Sequence, residues 1–308
     1  MKIRNAFTMI ELIFVIVVMG VIGKFGVEFL AQAYKSFIFA NVNYQLQSNS
    51  SSAVEYIAQK LQYRIKDSVI ARETAGGAFT AIGGTDTTKS YLVLEWVGAD
   101  MDGFRGNTDS SLPNLPNWSS IIDVNNTNAG VNLLVSPETN TSAINSMVQA
   151  LSYTDTTVDQ GAIYFIGSNN DINGYGWDGN ALDDQSIAVM HPIKSTNTNL
   201  TYFIPRKGSD GTTNSLTGVQ VYEYFKYSWT AYAVVYTPAA KNKGTLTLWY
   251  DYQPWNGENS EEDGKHAIIM ENVSTFQFIS SGSILKIQVC TKTDLIEEYS
   301  LCKEKTIF

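Results

Sequence analysis

The chain has 308 residues, enough for one large domain or two small ones, and its 44% hydrophobic content excludes a disordered tail. A formal net charge of −9 works against nucleic-acid binding, because such binding needs a basic surface that displaces counterions. The chain has two histidines, His191 and His266, and two cysteines, Cys290 and Cys302. They exclude a multi-cysteine metal cluster and leave little material for histidine-based catalysis or a zinc site.

The first thirty residues combine a short basic start with a long apolar run. Lys2 and Arg4 precede residues 7–23, where Glu11 is the one charged residue. This run gives about 25 Å of helix, somewhat less than the roughly 30 Å core of a bilayer, and apolar residues up to 31 extend it. The basic start predicts an N-terminus inside the membrane and a chain that continues on its outer side.

Glu11 needs a partner, because a carboxylate within an apolar span costs about 2.5–3.5 kcal/mol on insertion. No basic side chain lies one helical turn away. Cleavage between Ala6 and Phe7 would create an α-ammonium at Phe7, four positions from Glu11, and residues at that spacing face each other on a helix. The same group on a neighbouring subunit is an equivalent source of the cation.

This start resembles that of the type IV pilin-like proteins, which comprise pilins, minor pilins and the pseudopilins of type II secretion. The resemblance is carried by the basic leader at 1–6, the segment FTMIE at 7–11 and the apolar run. It implies that a prepilin peptidase removes the leader and N-methylates Phe7, and that Glu11 pairs with a neighbour's terminus during assembly. Ala6 departs from the glycine that usually precedes the cut.

The resemblance further implies a non-enzymatic minor subunit of a type II secretion pseudopilus or a type IV pilus-like filament. Its partners would be other pilin or pseudopilin subunits, the prepilin peptidase, the inner-membrane assembly platform and the lipid bilayer. The N-terminus would be cytoplasmic and the head periplasmic, with one pass through the bacterial inner membrane before the subunit enters the filament. A head as bulky as 68–308 predicts a place at or near the filament tip.

Other interpretations of the N-terminus remain open. A secretory signal would place its cleavage site at residues 31–33, and an uncleaved anchor would need no processing. A membrane-anchored periplasmic binding module would present the head without assembling into a filament. An enzyme is not predicted, because the chain lacks Gly-x-Ser-x-Gly, His-Glu-x-x-His and a phosphate-binding loop.

The helical period continues beyond the apolar run. Apolar residues recur at i, i+4 steps at Ala53, Ile57, Leu61 and Ile65. We predict one helix over 7–67, in which 7–30 spans the membrane and 31–67 is amphipathic. Its second half is expected to carry a head domain on the apolar stripe.

Strand-like runs separated by turn residues begin after residue 68. The predicted strands are 91–97, 162–166, 200–204, 219–229, 231–236, 245–252, 275–279 and 284–290. Residues 105–145, rich in Asn, Ser and Thr, are predicted to form a long surface loop with short elements. The predicted fold class is α+β, a long N-terminal helix followed by a mainly antiparallel β-sheet head at 68–308.

The two cysteines lie near the C-terminus and, in an oxidising compartment, predict a disulfide between Cys290 and Cys302, with a reduced pair as the alternative. Oxygen ligands of the kind that calcium prefers cluster at Asp171, Asn173, Asp178, Asp183 and Asp184, with a second pair at Asp100 and Asp102. Tyr175 and Leu182 stand where an EF-hand needs ligands. We therefore predict no metal or cofactor and keep calcium as the alternative.

Overall fold

The long N-terminal helix is present but ends before the predicted boundary at 67. The computed structural model describes residues 8–86, 88–106, 115–126, 130–196, 198–240, 243–292 and 300–308. Helix α1 spans Met9–Gln62, which is 54 residues or about 80 Å. It ends there because the following residues join a sheet: Arg64 pairs with Gly98, and the Ile65 amide donates to the Val97 carbonyl at 2.9 Å.

Thirteen strands and two shorter helices follow within the described residues. The strands are β1 (Ile70–Arg72), β2 (Phe79–Ala81), β3 (Val93–Gly98), β4 (Leu134–Val135), β5 (Ala162–Phe165), β6 (Met190–Ser195), β7 (Tyr202–Pro205), β8 (Phe225–Ser228), β9 (Thr230–Thr237), β10 (Gly244–Tyr250), β11 (Lys265–Ser281), β12 (Ile284–Lys292) and β13 (Ser300–Ile307). The helices are α2 (Met101–Arg105) and α3 (Thr141–Leu151).

The strands form two sheets. The large sheet has eight strands in the order β13-β12-β11-β10-β9-β3-β1-β2, and the small sheet has five in the order β4-β7-β6-β5-β8. Neighbouring strands are antiparallel in both sheets. The chain is therefore an α+β protein with a long N-terminal helix and an antiparallel head, as the sequence predicts.

One face of the large sheet packs against the second half of α1. The helix residues buried there recur at helical spacing and are Ala53, Val54, Ile57, Ala58 and Leu61. They form one apolar cluster with Leu94, Leu246 and Ile287 of the sheet. At the edge of this contact, Lys305 of β13 pairs with Glu55 of the helix at 2.8 Å. The stripe predicted from the sequence is thus the surface that fixes the helix to the head.

The other face of the large sheet packs against the small sheet. Aromatic side chains fill this second core, among them Tyr164, Tyr175, Trp177, Tyr252 and Trp255. Strand β5 shows the layering: Ala162 and Tyr164 belong to this core, whereas Ile163 and Phe165 face a third core shared with α3. The head therefore stacks α1, the large sheet, the small sheet and α3.

Several elements differ from those predicted. The strand predicted over 219–229 is shorter in the structure: it is β8, which covers Phe225–Ser228, because residues 219–222 are irregular. The loop predicted over 105–145 contains β4 and the start of α3, where the Asn140 side chain accepts the Ala143 amide at 3.0 Å and caps the helix. Residues 107–114 and 127–129 of that loop lie outside the described residues.

The predicted disulfide is confirmed. Cys290 and Cys302 are bonded, and they face each other directly across strands β12 and β13. Strand β13 lies at the edge of the large sheet and contacts α1, so the disulfide holds the last strand on the helix-bearing part of the sheet.

Leu61→Ala tests whether the stripe holds the head together. Leu61 is fully buried, so the cavity left by the substitution should lower the free energy of unfolding by about 2–5 kcal/mol. Denaturant unfolding followed by tryptophan fluorescence measures this. Gln59→Ala, at an exposed position one half-turn away, is the control and should change stability by no more than about 0.5 kcal/mol. Equal losses in both variants would contradict the assigned packing.

The disulfide should stabilise the head by constraining the unfolded chain. Replacing Cys290 and Cys302 by serine together should lower the free energy of unfolding by about 2–4 kcal/mol. Dithiothreitol should lower the stability of the wild-type protein to the same level and leave the double variant unchanged. A double variant as stable as the oxidised wild type would show that the bond has no structural role.

Candidate functional site

The first half of α1 lies outside the head. Every residue from 8 to 37 is exposed, and large apolar side chains dominate this stretch. Among the described residues, α1 is long and apolar enough to cross a membrane, judged by length and composition. None of the described residues of the head covers the apolar surface at 8–37, which fits a single-pass anchor.

The exposed apolar surface is longer than a bilayer core. It runs with few interruptions over residues 9–39, which corresponds to about 45 Å of helix, whereas the hydrocarbon core measures about 30 Å. Beyond the first 30 Å, the exposed side chains include Leu30, Tyr34, Phe37 and Phe39. An anchor standing upright in a membrane would therefore leave part of this surface in water.

Glu11 bonds to the residue that precedes the helix. Its Oε2 accepts the Thr8 amide at 3.2 Å and the Thr8 hydroxyl at 3.1 Å. This is the glutamate half of a capping box, whose Thr-x-x-Glu spacing is visible in the sequence. Both bonds use one carboxylate oxygen, and Oε1 has no partner among the described residues.

The structure does not test the proposed ion pair. Ala6 and Phe7, between which cleavage is predicted, lie outside the described residues. The pairing of Glu11 with an α-ammonium therefore stays a prediction. The geometry adds that the carboxylate sits at the very start of the helix, where the positive end of the helix dipole stabilises negative charge.

The second acid of the exposed half has a basic partner. Lys24 and Glu28 lie one turn apart, with Nζ 3.9 Å from Oε1. Because this pair balances its own charge, Glu11 is the acid of this stretch that has no basic partner among the described residues.

The carboxylates of the acidic loop take part in hydrogen bonds of the head itself. Asp171, Asp178 and Asp184 accept hydrogen bonds from residues two positions further on, within their own turns. Asp183 accepts from Ser209, 26 residues away in sequence. No group of three or more His, Cys, Asp or Glu side chains converges in the part of the chain that the structure describes.

The remaining candidate residues have separate structural roles. Asp100 is buried, accepts the Gly103 amide at 3.0 Å and caps α2, and burial raises its pKa to about 6. Asp102 is exposed. Burial lowers the pKa of His191 to about 4, and its Nδ1 lies 2.8 Å from Oε1 of Gln185. His266 packs on Trp249 in the large sheet. The two histidines therefore form no common site.

Comparisons with protein-family models, with curated proteins and with solved structures give no match.

Glu258 should make the stability of the head depend on pH. Burial raises its pKa to about 7, although the Gln253 amide donates to its carboxylate at 2.8 Å. The folded protein then holds a proton that the unfolded chain releases near pH 4.5, so stability is lost as pH rises from about 4.5 through 7. Glu258→Gln should remove this loss. The melting temperature of the variant minus that of the wild type should therefore increase as pH rises from about 4.5 to 7.

The matched control for this measurement is Glu261→Gln in the same loop. Glu261 is exposed, so its charge stays hydrated in the folded and unfolded states. Thermal unfolding of the full chain in detergent at several pH values measures both variants. A Glu258→Gln curve parallel to that of the wild type would contradict the argument.

Proposed function

We propose that this chain is a non-enzymatic minor subunit of a pilus-like filament, either a type IV pilus or a type II secretion pseudopilus. The observation that carries the proposal is one unbroken helix with two different halves. The second half packs one side against the head, and the first exposes apolar side chains along its length with Glu11 at its start. The likeness of residues 1–11 to the start of pilin-like proteins supports the same assignment.

The length of the exposed surface favours assembly over a simple anchor. A bilayer covers about 30 Å of helix, and about 45 Å is apolar and exposed. Packing among helices of neighbouring subunits would cover the whole stretch, including Tyr34 and Phe37. In a single anchored module the same side chains would remain in water or would require a strong tilt.

Glu11 gives the proposed assembly its direction. In the single chain its carboxylate bonds to Thr8, and Oε1 remains available among the described contacts. Prepilin peptidase would cut between Ala6 and Phe7, and the methylated ammonium of Phe7 would then carry a positive charge. Pairing of that charge with Glu11 of a neighbour is strengthened by the apolar surroundings, where electrostatic interactions are weakly screened.

The size of the head supports a place at or near the filament tip. Two sheets and α3 are stacked on the side of α1, a broad layer that is difficult to repeat within a regular helical array. In this proposal the subunit inserts into the bacterial inner membrane with a periplasmic head and leaves through the assembly platform. The competing function is a membrane-anchored periplasmic binding module that does not assemble.

Glu11→Ala distinguishes the two functions. In the filament proposal it should reduce the amount of the chain recovered with sheared filaments or with its partner pilins by at least about tenfold, because a cation would be left unpaired in an apolar setting. Glu11→Gln, which keeps the shape without the charge, should show a similar loss. The melting temperature and the disulfide of the head should stay unchanged, since Glu11 does not touch the head.

The double variant Lys24→Gln/Glu28→Gln is the matched control, because it removes an acid from the same exposed helix without leaving a cation unpaired. Lys24 and Glu28 form a pair that is neutral as a whole, so recovery of this variant should remain within about twofold of wild type. Normal recovery and function of Glu11→Ala would favour the anchored module. Equal losses in the Glu11 variants and the double variant would mean that any charge change in this helix disturbs insertion.

A further inference from the structure

A small pocket lies where the C-terminal end of α1 meets the turn between β11 and β12. Its volume is about 280 Å³, and its lining includes Arg64, Lys66, Asp67, Ile82, Ser280 and Ser283. Pockets for drug-sized ligands begin at about 300 Å³, so this pocket suits a small ion or a single functional group. It is far from the exposed apolar half of α1.

Arg64 places a buried positive charge in the pocket. The residue is 3% exposed, and its guanidinium donates to the Leu61 carbonyl at 2.8 Å and to the Ser283 carbonyl at 2.9 Å. These bonds close the end of α1 and tie it to the turn. They use two of the five N–H donors of an arginine, and no described carboxylate lies within ion-pair distance. Burial lowers the pKa of Arg64, as expected for a cation without an anion.

Ser280 supplies a second unsatisfied group in the same pocket. Its Oγ is buried and has no hydrogen-bond partner among the described residues. Buried hydroxyls almost always have a partner, so an unpartnered one is a group that a ligand, an ion or a water can satisfy. A serine hydroxyl that lines the same pocket as an arginine is suited to donate to the oxygen of an anion.

Two lysines increase the positive charge around Arg64. Lys66 is exposed on the pocket wall and forms no ion pair with a described residue. Lys226 lies near both residues. Its pKa is lowered mainly by burial and further by the positive charges of Lys66 and Arg64. Asp67 is the acid among the residues that line the pocket. Three cations thus gather in a protein whose net charge is −9.

We propose that this pocket binds a small oxyanion, with Arg64 and Lys66 providing charge and Ser280 a hydroxyl donor. The rigid fork of the guanidinium matches the oxygens of a phosphate or of a carboxylate, and either group fits the chemistry of the lining. A bound anion would neutralise the buried arginine and link the end of α1 to the β11–β12 turn. The proposal does not depend on filament assembly, because the pocket belongs to the head.

The test is thermal unfolding of the full chain in detergent micelles. Inorganic phosphate and, separately, acetate are added at constant ionic strength against chloride. We expect at least one of them to raise the melting temperature along a saturable curve, as a ligand of the folded state does. Saturation with phosphate identifies a phosphate site, and saturation with acetate alone identifies a carboxylate site.

Two substitutions at exposed positions should shift the apparent dissociation constant in opposite directions. Lys66→Gln should weaken binding by about fivefold, and Asp67→Asn, which removes the negative charge, should strengthen it by a similar factor. These variants are preferred to changes at Arg64, whose carbonyl bonds hold the end of α1. The direction of both shifts is a readout that a general salt effect would not produce.

Lys305→Gln is the control, since it removes the same charge from a lysine that pairs with Glu55 on α1 and lies outside the pocket lining. Its titration should match that of the wild type. The absence of a saturable effect with both anions would overturn the proposal. So would identical titrations of the wild type, Lys66→Gln, Asp67→Asn and Lys305→Gln.

Discussion

The contact between α1 and the large sheet is the constraint on which the rest of the structure depends. A stripe that includes Ile57 and Leu61 buries one side of the helix and packs on one face of the large sheet, against residues of β3 and of β9 to β13. Because the sheet needs its other face covered too, the small sheet packs there through an aromatic layer. Among the described residues no such partner covers residues 8–37 of α1, so this apolar surface is left for another environment.

Glu11 requires that this environment supply a cation as well as apolar contacts. A carboxylate at the start of the helix is tolerated in the single chain, because Thr8 donates two hydrogen bonds to it and the helix dipole favours negative charge. Once the helix is surrounded by apolar side chains or lipid, an ion pair between Oε1 and a cation from another chain terminus would stabilise the carboxylate further. The proposed cut before Phe7 would supply such a cation, whereas Lys24 is already paired with Glu28.

The sequence predicts those parts of the fold that follow local periodicity. The stripe from Ala53 to Leu61 repeats every turn, and β5 and β9 are dense in β-branched and aromatic residues, so their types were clear. Strand β13 has no such pattern, because it is a charged edge strand in which lysine and glutamate replace the apolar residues of a buried strand. The division into two sheets was missed because layering depends on tertiary contacts.

The candidate site was predictable in its residues but not in its contacts. The isolation of Glu11 and the length of the apolar run are visible in the sequence, whereas the bond to Thr8 and the Lys24–Glu28 pair need the helix geometry. The pocket at Arg64 gave no sequence signal, because segments distant along the chain build it. The segment Arg64–Asp67 has the composition of an ordinary helix end.

The most direct measurement is mass spectrometry of the N-terminus of the mature protein isolated from the membranes of its host. The account predicts a chain that starts at Phe7 and carries one added methyl group. A chain that starts at Met1, or at Tyr34 after cleavage as a secretory signal, would contradict it, because the cation proposed for Glu11 would then never form.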